Sequence, residues 1–242
     1  MKHVLAIDEG TTGVTCLMIA ADGRIAGRGY REITQYFPRP GWVEHDAEEL
    51  FDRMLAAGRD AIREAGAMPD AIGITNQRET VVVWERVTGR PLHRAIVWQD
   101  RRTAARCAEL APHADRIRAR TGLVTDPYFS ATKIEWLLRE QRLLERLAPE
   151  QLAVATVDAW LVWKLTGGAV FATDHTNASR TMLYDIDARG WSDEMCDLFG
   201  VPRAMLPEVR RASGDFGIAR AEWFGAAIPI LGVAGDQQAA LF

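Results

Sequence analysis

The sequence has little of what builds a self-contained site or staple. It has only three cysteines, Cys16, Cys107 and Cys196, odd in number and far apart. That excludes a disulfide framework and fits a reducing, cytoplasmic setting. The five histidines show no ligand spacing, which argues against a dedicated His/Cys metal site. No apolar run approaches the roughly 20 residues that cross a bilayer, and the opening MKHVLAIDEG reads as neither a signal peptide nor an anchor. Charge is not strongly of one sign. A net charge of −4 with no acidic tail gives no footprint for a nucleic-acid partner. There is no low-complexity segment, no short repeat and no Pro/Gly-rich linker.

What is present reads as one compact α/β unit. With 242 residues, 48% apolar and 26% charged, the chain can bury roughly 70–75% of its unfolded surface. HVLAID, VTCLMIA and RIAGRGYREI form three antiparallel strands in a row, with GTTG between the first two and a type I′ hairpin signal at Asp22-Gly23. Asp46 and Glu49 form a capping box for a helix whose apolar face carries residues 50, 51, 54, 55 and 62. DAIGIT follows as a strand parallel to the first, because a helix intervenes. TVVVWER and RAIVWQD read as a hairpin around TGRP. Helices are expected near 102–119, 132–147 and 158–166, the last capped by Asp158, and a short one in WSDEMCDLFG capped by Ser192. Arg101, Arg102, Arg106, Arg116, Arg118 and Arg120 lie on a helical stretch diluted by Glu109 and Asp115, which reads as a solvated face. Near the end, IPILGV is a buried strand, broken by Gly235 before Asp236 and the helix-favouring QQAAL.

Three stretches could carry chemistry. In AIDEGTTGVT, Asp8 ends a strand, and Gly10, Thr11 and Thr12 form a tight turn. Such a turn offers N–H groups and hydroxyls to a phosphate, with the carboxylate facing hydrated Mg²⁺. Small polar residues also serve any hairpin turn. In GITNQRETVVVW, Arg78 and Glu79 can donate to and accept from vicinal hydroxyls, or stand as two solvated charges. Trp98 and Tyr128 read as pocket walls or as ordinary core aromatics. Asp236 reads as a general base or as a plain helix N-cap. Asp8 and Asp236 together supply what phosphoryl transfer to a hydroxyl uses, an acid that positions metal and an acid that acts as base.

At these residues the sequence resembles the FGGY carbohydrate kinases of the actin-like ATPase superfamily, and among them the glycerol kinases. PGWVEHD, GITNQRET, AIVWQDRRT, TGLVTDPYFS, TNASRTML, MLPEVRR and GVAGDQQAALF are similar to segments of that family in the same order. YFSATKIEWLLRE fits its first signature, and QRET points to glycerol, since pentulose kinases carry a GQMHG-like stretch there. The resemblance implies an actin-like (ribonuclease H-like) lobe, whose mixed sheet joins a three-strand meander to parallel strands flanked by helices. It implies that Arg78 and Glu79 bond the hydroxyls of glycerol, Trp98 packs on its carbons and Tyr128 contacts a hydroxyl. Asp236 would then be the base, with Gln237 beside it. Gly10, Thr11 and Thr12 would meet the phosphates of ATP, and Asp8 would face Mg²⁺. A homo-oligomer is implied for the complete enzyme.

Three departures shape the expectations. The family's usual DQGTTSSR reads DEGTTGVT here, so Glu9 is expected to add negative charge near phosphate, with Thr15 where a basic residue usually lies. Weaker or more Mg²⁺-dependent nucleotide binding follows from that. ARAEWFGAAIP lacks the Gly/Lys/Arg-rich loop that binds fructose bisphosphate in some members and the phosphorylated His of others, so neither control is expected. Family members are about twice this length with two lobes. Residues 1–242 are therefore expected to be the substrate-binding lobe, without the lobe that holds adenosine.

Overall fold

The computed structural model describes residues 3–242. β1 (His3–Glu9), β2 (Gly13–Ala20) and β3 (Ile25–Glu32) form the expected antiparallel meander. Strand alternation sends Leu5, Ile7, Val14, Cys16 and Met18 to one buried face. The turn between β2 and β3 is not type I′, which needs positive φ at both central residues. Gly23 has φ of 82° but Asp22 does not; the Gly23 N–H closes on Ala20 O, and the ladder shifts register after Met18.

β4 (Glu44–His45) leads into α1 (Ala47–Ala65), where Asp46 accepts from the N–H groups of Glu48 and Glu49. Such a cap contributes about 1 kcal/mol. The Glu49 carboxylate turns to Thr34 and Arg53 instead of closing the reciprocal half of the box. Leu50, Phe51 and Met54 bury α1 against the meander. β5 (Ala71–Asn76) then pairs parallel with β1, as a helical crossover requires. β6 (Val81–Glu85) and β7 (Ala95–Ile96) form the expected hairpin.

The helical centre departs from the expectation in five respects. The stretch near 102–119 divides at Pro112 into α2 (Ala104–Glu109) and α3 (Ala114–Thr121), with a single 3₁₀ turn between. Arg102 is not on a solvated face: its guanidinium lies 3.8 Å from the Trp42 ring and 4.6 Å from that of Trp136, bonded to Asp100 and Glu44 at 2.8 Å. α4 (Ser130–Glu140) and α5 (Leu143–Arg146) are separated by Arg142 at φ 48°. β8 (Leu152–Thr156) is a buried strand paired with β6 that the alanine-rich LAVAT did not announce. α6 (Val157–Leu165) is capped at Thr156 rather than Asp158. Asp158 is buried and accepts from Thr156 and Thr173 at 2.5 and 2.6 Å; burial, then Asp174, raises its pKa to about 7.

The remainder of the chain returns to the first sheet. β9 (Ala172–Asp174), α7 (His175–Ala178), β10 (Tyr184–Asp185), β11 (Gly190–Trp191) and α8 (Asp193–Phe199) follow, with Ser192 capping α8 as read. β12 (Glu208–Arg210), β13 (Ile218–Ala219), α9 (Ala221–Phe224), β14 (Ile228–Gly235) and α10 (Asp236–Leu241) complete the order. The larger sheet runs β13-β14-β5-β1-β2-β3 and the second β4-β7-β6-β8. Val82, Trp84, Ala153 and Ala155 of the second sheet join the core beneath the first. Val81, Val83, Leu152 and Val154 face the opposite way, onto α4 and α8. The second sheet therefore lies between two apolar cores and holds the segments flanking residues 77–80 and 97–100 in place. Among the described residues no helix is long and apolar enough to cross a membrane.

Candidate active site

β1, β5 and β14 run parallel as neighbours, so their carboxyl ends open on one edge of the sheet. In open α/β sheets that edge is where ligands bind. Asp8 with the turn after β1, the segment Gln77-Arg78-Glu79 after β5, and Asp236 after β14 all emerge there. Residues 228 positions apart in the chain thus share one edge of the sheet, and the Asp236 charge is felt at Asp8. The Asp8 side chain still reaches solvent, yet its partial burial and then the Asp236 carboxylate raise its pKa.

Arg78 and Glu79 are 4% and 2% exposed, which overturns the picture of two solvated charges. Arg78 Nε lies 3.1 Å from Asp236 Oδ1, but its N–H is not aligned on that oxygen and has no hydrogen-bond acceptor. Its second guanidinium nitrogen stands 3.8 Å from Glu79 Oε1, and the other donates to Gln238 Oε1 at 3.3 Å. A buried guanidinium with an unpartnered N–H beside two carboxylates has donor and acceptor capacity left for a hydroxylated ligand. The Arg78 side chain packs directly on Gly235: a Cβ there would lie 2.3 Å from Arg78 Cδ, so any larger residue displaces the guanidinium.

The Trp98 and Tyr128 rings meet edge to face, 5.5 Å between centroids, at the same mouth. Trp98 Nε1 donates to Thr11 Oγ1 at 2.8 Å, which ties the aromatic wall to the turn after β1. Gln77 makes a second tie, donating to Gly10 O at 2.9 Å and accepting from Thr80, whose hydroxyl accepts from Trp98 N. Gly10 is required for the tightness of this turn, since a Cβ there would meet Gly13 O at 2.8 Å. The Thr12 side chain is exposed at the tip. Thr15 pairs across the ladder with Asp8, so a basic residue at 15 would face that carboxylate.

One expectation changes, and a further amide joins the site. Glu9 does not add charge to the turn: it is 0% exposed on the α1 side of the sheet, and neither of its oxygens has a hydrogen-bond partner. Burial, then Asp8, pushes its pKa well above the usual carboxylate range. Gln237 has an exposed side chain whose backbone N–H bonds Asp236, whereas Gln238 is the amide that reaches Arg78. Helix geometry decides this, because adjacent residues on α10 point about 100° apart.

Sequence reading assigned no role to four supporting residues: Gln77, Lys133, Thr176 and Arg180. All but Lys133 lie in the quoted segments and Lys133 in the signature, but their types alone gave no cue. Thr176 Oγ1 accepts from Gly235 N at 2.7 Å and donates to Asp174 Oδ1, pinning the backbone just before Asp236. Lys133 is fully buried and donates to the carbonyls of Pro127, Tyr128 and Phe129 at 2.6, 2.7 and 3.2 Å. Burial pushes its pKa down to about 7 while Asp100 and Glu79 pull it back up. Only the ammonium has a donor for each of the three carbonyls, so they favour the charged form. Lys133→Met leaves these carbonyls without their donor and should lower unfolding free energy by roughly 2–4 kcal/mol. Urea titration checks this, and a change under 0.5 kcal/mol would show the loop to be held otherwise.

A mixed sheet with a helix-backed meander, carrying acids at the ends of its parallel strands, is the actin-like kinase fold. The chain belongs to the FGGY family of carbohydrate kinases: the model of that family's N-terminal domain matches residues 3–242. It is 53% identical over 247 residues to a glycerol kinase of Bordetella parapertussis, covering 100% of this chain and 49% of that protein. A glycerol kinase of Xanthobacter autotrophicus is 54% identical over 245 residues, 99% of this chain and 49% of the relative. The crystal structure of Plasmodium falciparum glycerol kinase with ADP superposes with a TM-score of 0.95 at 33% identity, covering 99% of this chain and 49% of that one. The chain thus spans about half the length of the relatives it matches.

Proposed function

We propose that the whole protein transfers the terminal phosphoryl group of ATP to a primary hydroxyl of glycerol, giving sn-glycerol 3-phosphate, and that residues 3–242 are its substrate-binding domain. The observation that carries this is the buried Arg78–Glu79 pair, with Asp236 3.1 Å from Arg78 and the Trp98–Tyr128 wall beside it. Arg78 donates to one hydroxyl of a diol and Glu79 accepts from another, while Trp98 covers the carbon chain. A ligand lacking a hydroxyl leaves one of these buried groups unpaired, which disfavours it strongly. Asp236 orients the attacking oxygen and takes its proton late, because the transition state of phosphoryl transfer is loose.

Among the described residues no cluster of three or more His, Cys, Asp or Glu side chains could hold a metal alone. Two carboxylates close enough for Asp236 to raise the Asp8 pKa fit Mg²⁺, which keeps several waters and takes one or two carboxylates beside substrate phosphates. Asp8 would hold it, and when bound it supplies positive charge against the phosphates. Thr11 and Thr12 would present hydroxyls, and Gly10 backbone, to the same phosphates. Glycerol, ATP and a homo-oligomeric complete enzyme belong to this reading.

The test is calorimetric titration of the chain with glycerol, together with an assay for glycerol 3-phosphate with Mg·ATP, beside Asp236→Asn. Glycerol binding, with any turnover lost in the variant, is the expected result. Turnover in the wild-type chain would make these residues sufficient for the reaction; binding alone would make them its polyol-binding part. Failure to bind glycerol, or tighter binding of a pentulose, would overturn the reading.

A further inference from the structure

Arg180 joins the site from the segment after α7, and nothing in the sequence or in the relatives' names assigns it a role. Its Nε donates to Glu79 Oε1 at 2.7 Å. Its guanidinium carbon lies 5.5 Å from the Tyr128 ring centroid and 4.8 Å from that of Phe129. Arg78 is 3.8 Å from the same oxygen and closer to Asp236. Glu79 therefore stands between two guanidiniums and is hydrogen-bonded to Arg180 rather than to Arg78.

That asymmetry has a consequence for recognition. Arg78 and Glu79 are adjacent in the chain and of opposite charge. Left to themselves in a site this buried, they would close to a tight ion pair of about 2.8 Å. A closed pair uses up the donor and the acceptor that a diol needs. Arg180 pulls the Glu79 carboxylate the other way and holds the gap open at 3.8 Å.

We propose that Arg180 is a positioning residue for polyol recognition, tying one oxygen of Glu79 so that the other stays free to accept from a substrate hydroxyl and Arg78 stays free to donate. The inference rests on the glycerol reading above. The aromatic contacts fit the role, since the Tyr128 and Phe129 rings fix the guanidinium plane that sets the carboxylate's direction.

Glycerol affinity is measured by calorimetry for the wild-type chain, Arg180→Met, Arg180→Lys, Glu79→Gln and the Arg180→Met/Glu79→Gln double variant, with melting curves to confirm folding. Arg180→Met should bind roughly 10- to 100-fold more weakly, the usual loss when a residue that orients a ligand group is removed. Arg180→Lys, which keeps a cation against Glu79, should bind at least about threefold more tightly than the Met variant. In the Glu79→Gln background, Arg180→Met should change affinity less than about threefold, because its effect passes through the carboxylate. Wild-type affinity in Arg180→Met, no gain in Arg180→Lys, or effects that simply multiply in the double variant would each overturn the proposal. A wild-type chain that binds no glycerol would instead overturn the functional reading, and this inference with it.

Discussion

Arg78→Ala should weaken glycerol binding by at least about 100-fold while leaving a folded protein. The guanidinium faces Asp236, Glu79 and Gln238 at once, so truncation removes the site's main donor and the cation between its two acids. A hydrogen bond to a charged group contributes about 1.5–3 kcal/mol, and losing two of them corresponds to a factor of at least about 10². Stability should change less than affinity, because Glu79 keeps Arg180 at 2.7 Å and Asp236 is partly open to water, its side chain 46% exposed. Calorimetry with the variant beside wild type decides it. Binding within threefold of wild type, with an unchanged melting curve, would remove Arg78 from the site.

Glu9→Gln should stabilise the protein, and by an amount that grows with pH. The carboxyl is buried without a partner, and its pKa is raised first by burial and then by Asp8. The folded state therefore keeps a proton that the unfolded chain gives up above about pH 4.3. For an acid whose folded pKa is raised, stability is fullest below the unfolded pKa and falls as pH climbs towards the folded one. Keeping an ordinary glutamate protonated at pH 7 costs about 3.7 kcal/mol, and Gln, equally neutral and of similar size, carries no such cost. Urea unfolding of both proteins should show a gap of that order at pH 7 that shrinks towards zero near pH 4. A gap independent of pH, or no gap at pH 8, would mean that Glu9 is ionised and solvated or paired in the folded protein.

These two residues also mark how much was legible beforehand. Arg78 was readable as a candidate because an Arg-Glu pair at a strand end suits a diol, although the residues taken alone favoured two surface charges. The burial of both residues, which decides between those readings, depends on Gly235 and Gln238 packing on Arg78 and on Ser130 and Arg180 meeting Glu79, and no local pattern encodes that. Glu9 was misread because a charged residue beside a turn is ordinarily solvated. Strand alternation does put it on the face of Leu5 and Ile7, but alternation cannot say that this face is closed to water as far as position 9.

Local periodicity and end signals determined the meander, α1 with its Asp46 cap, the parallel return of β5, and α8 with its Ser192 cap, because each depends on groups a few residues apart. The class of chemistry also came from sequence, through residue types that recur in order. Tertiary structure alone decided that Asp8 and Asp236 emerge at one edge of the sheet, since parallel pairing through β5 aligns strand ends that the chain keeps 228 positions apart. It decided likewise that Gln238 rather than Gln237 meets Arg78, that Arg102 is enclosed by two indoles, and that Arg180 stands against Glu79. The direction of a side chain and the removal of water from around it are set by elements distant in sequence, which only the assembled fold brings together.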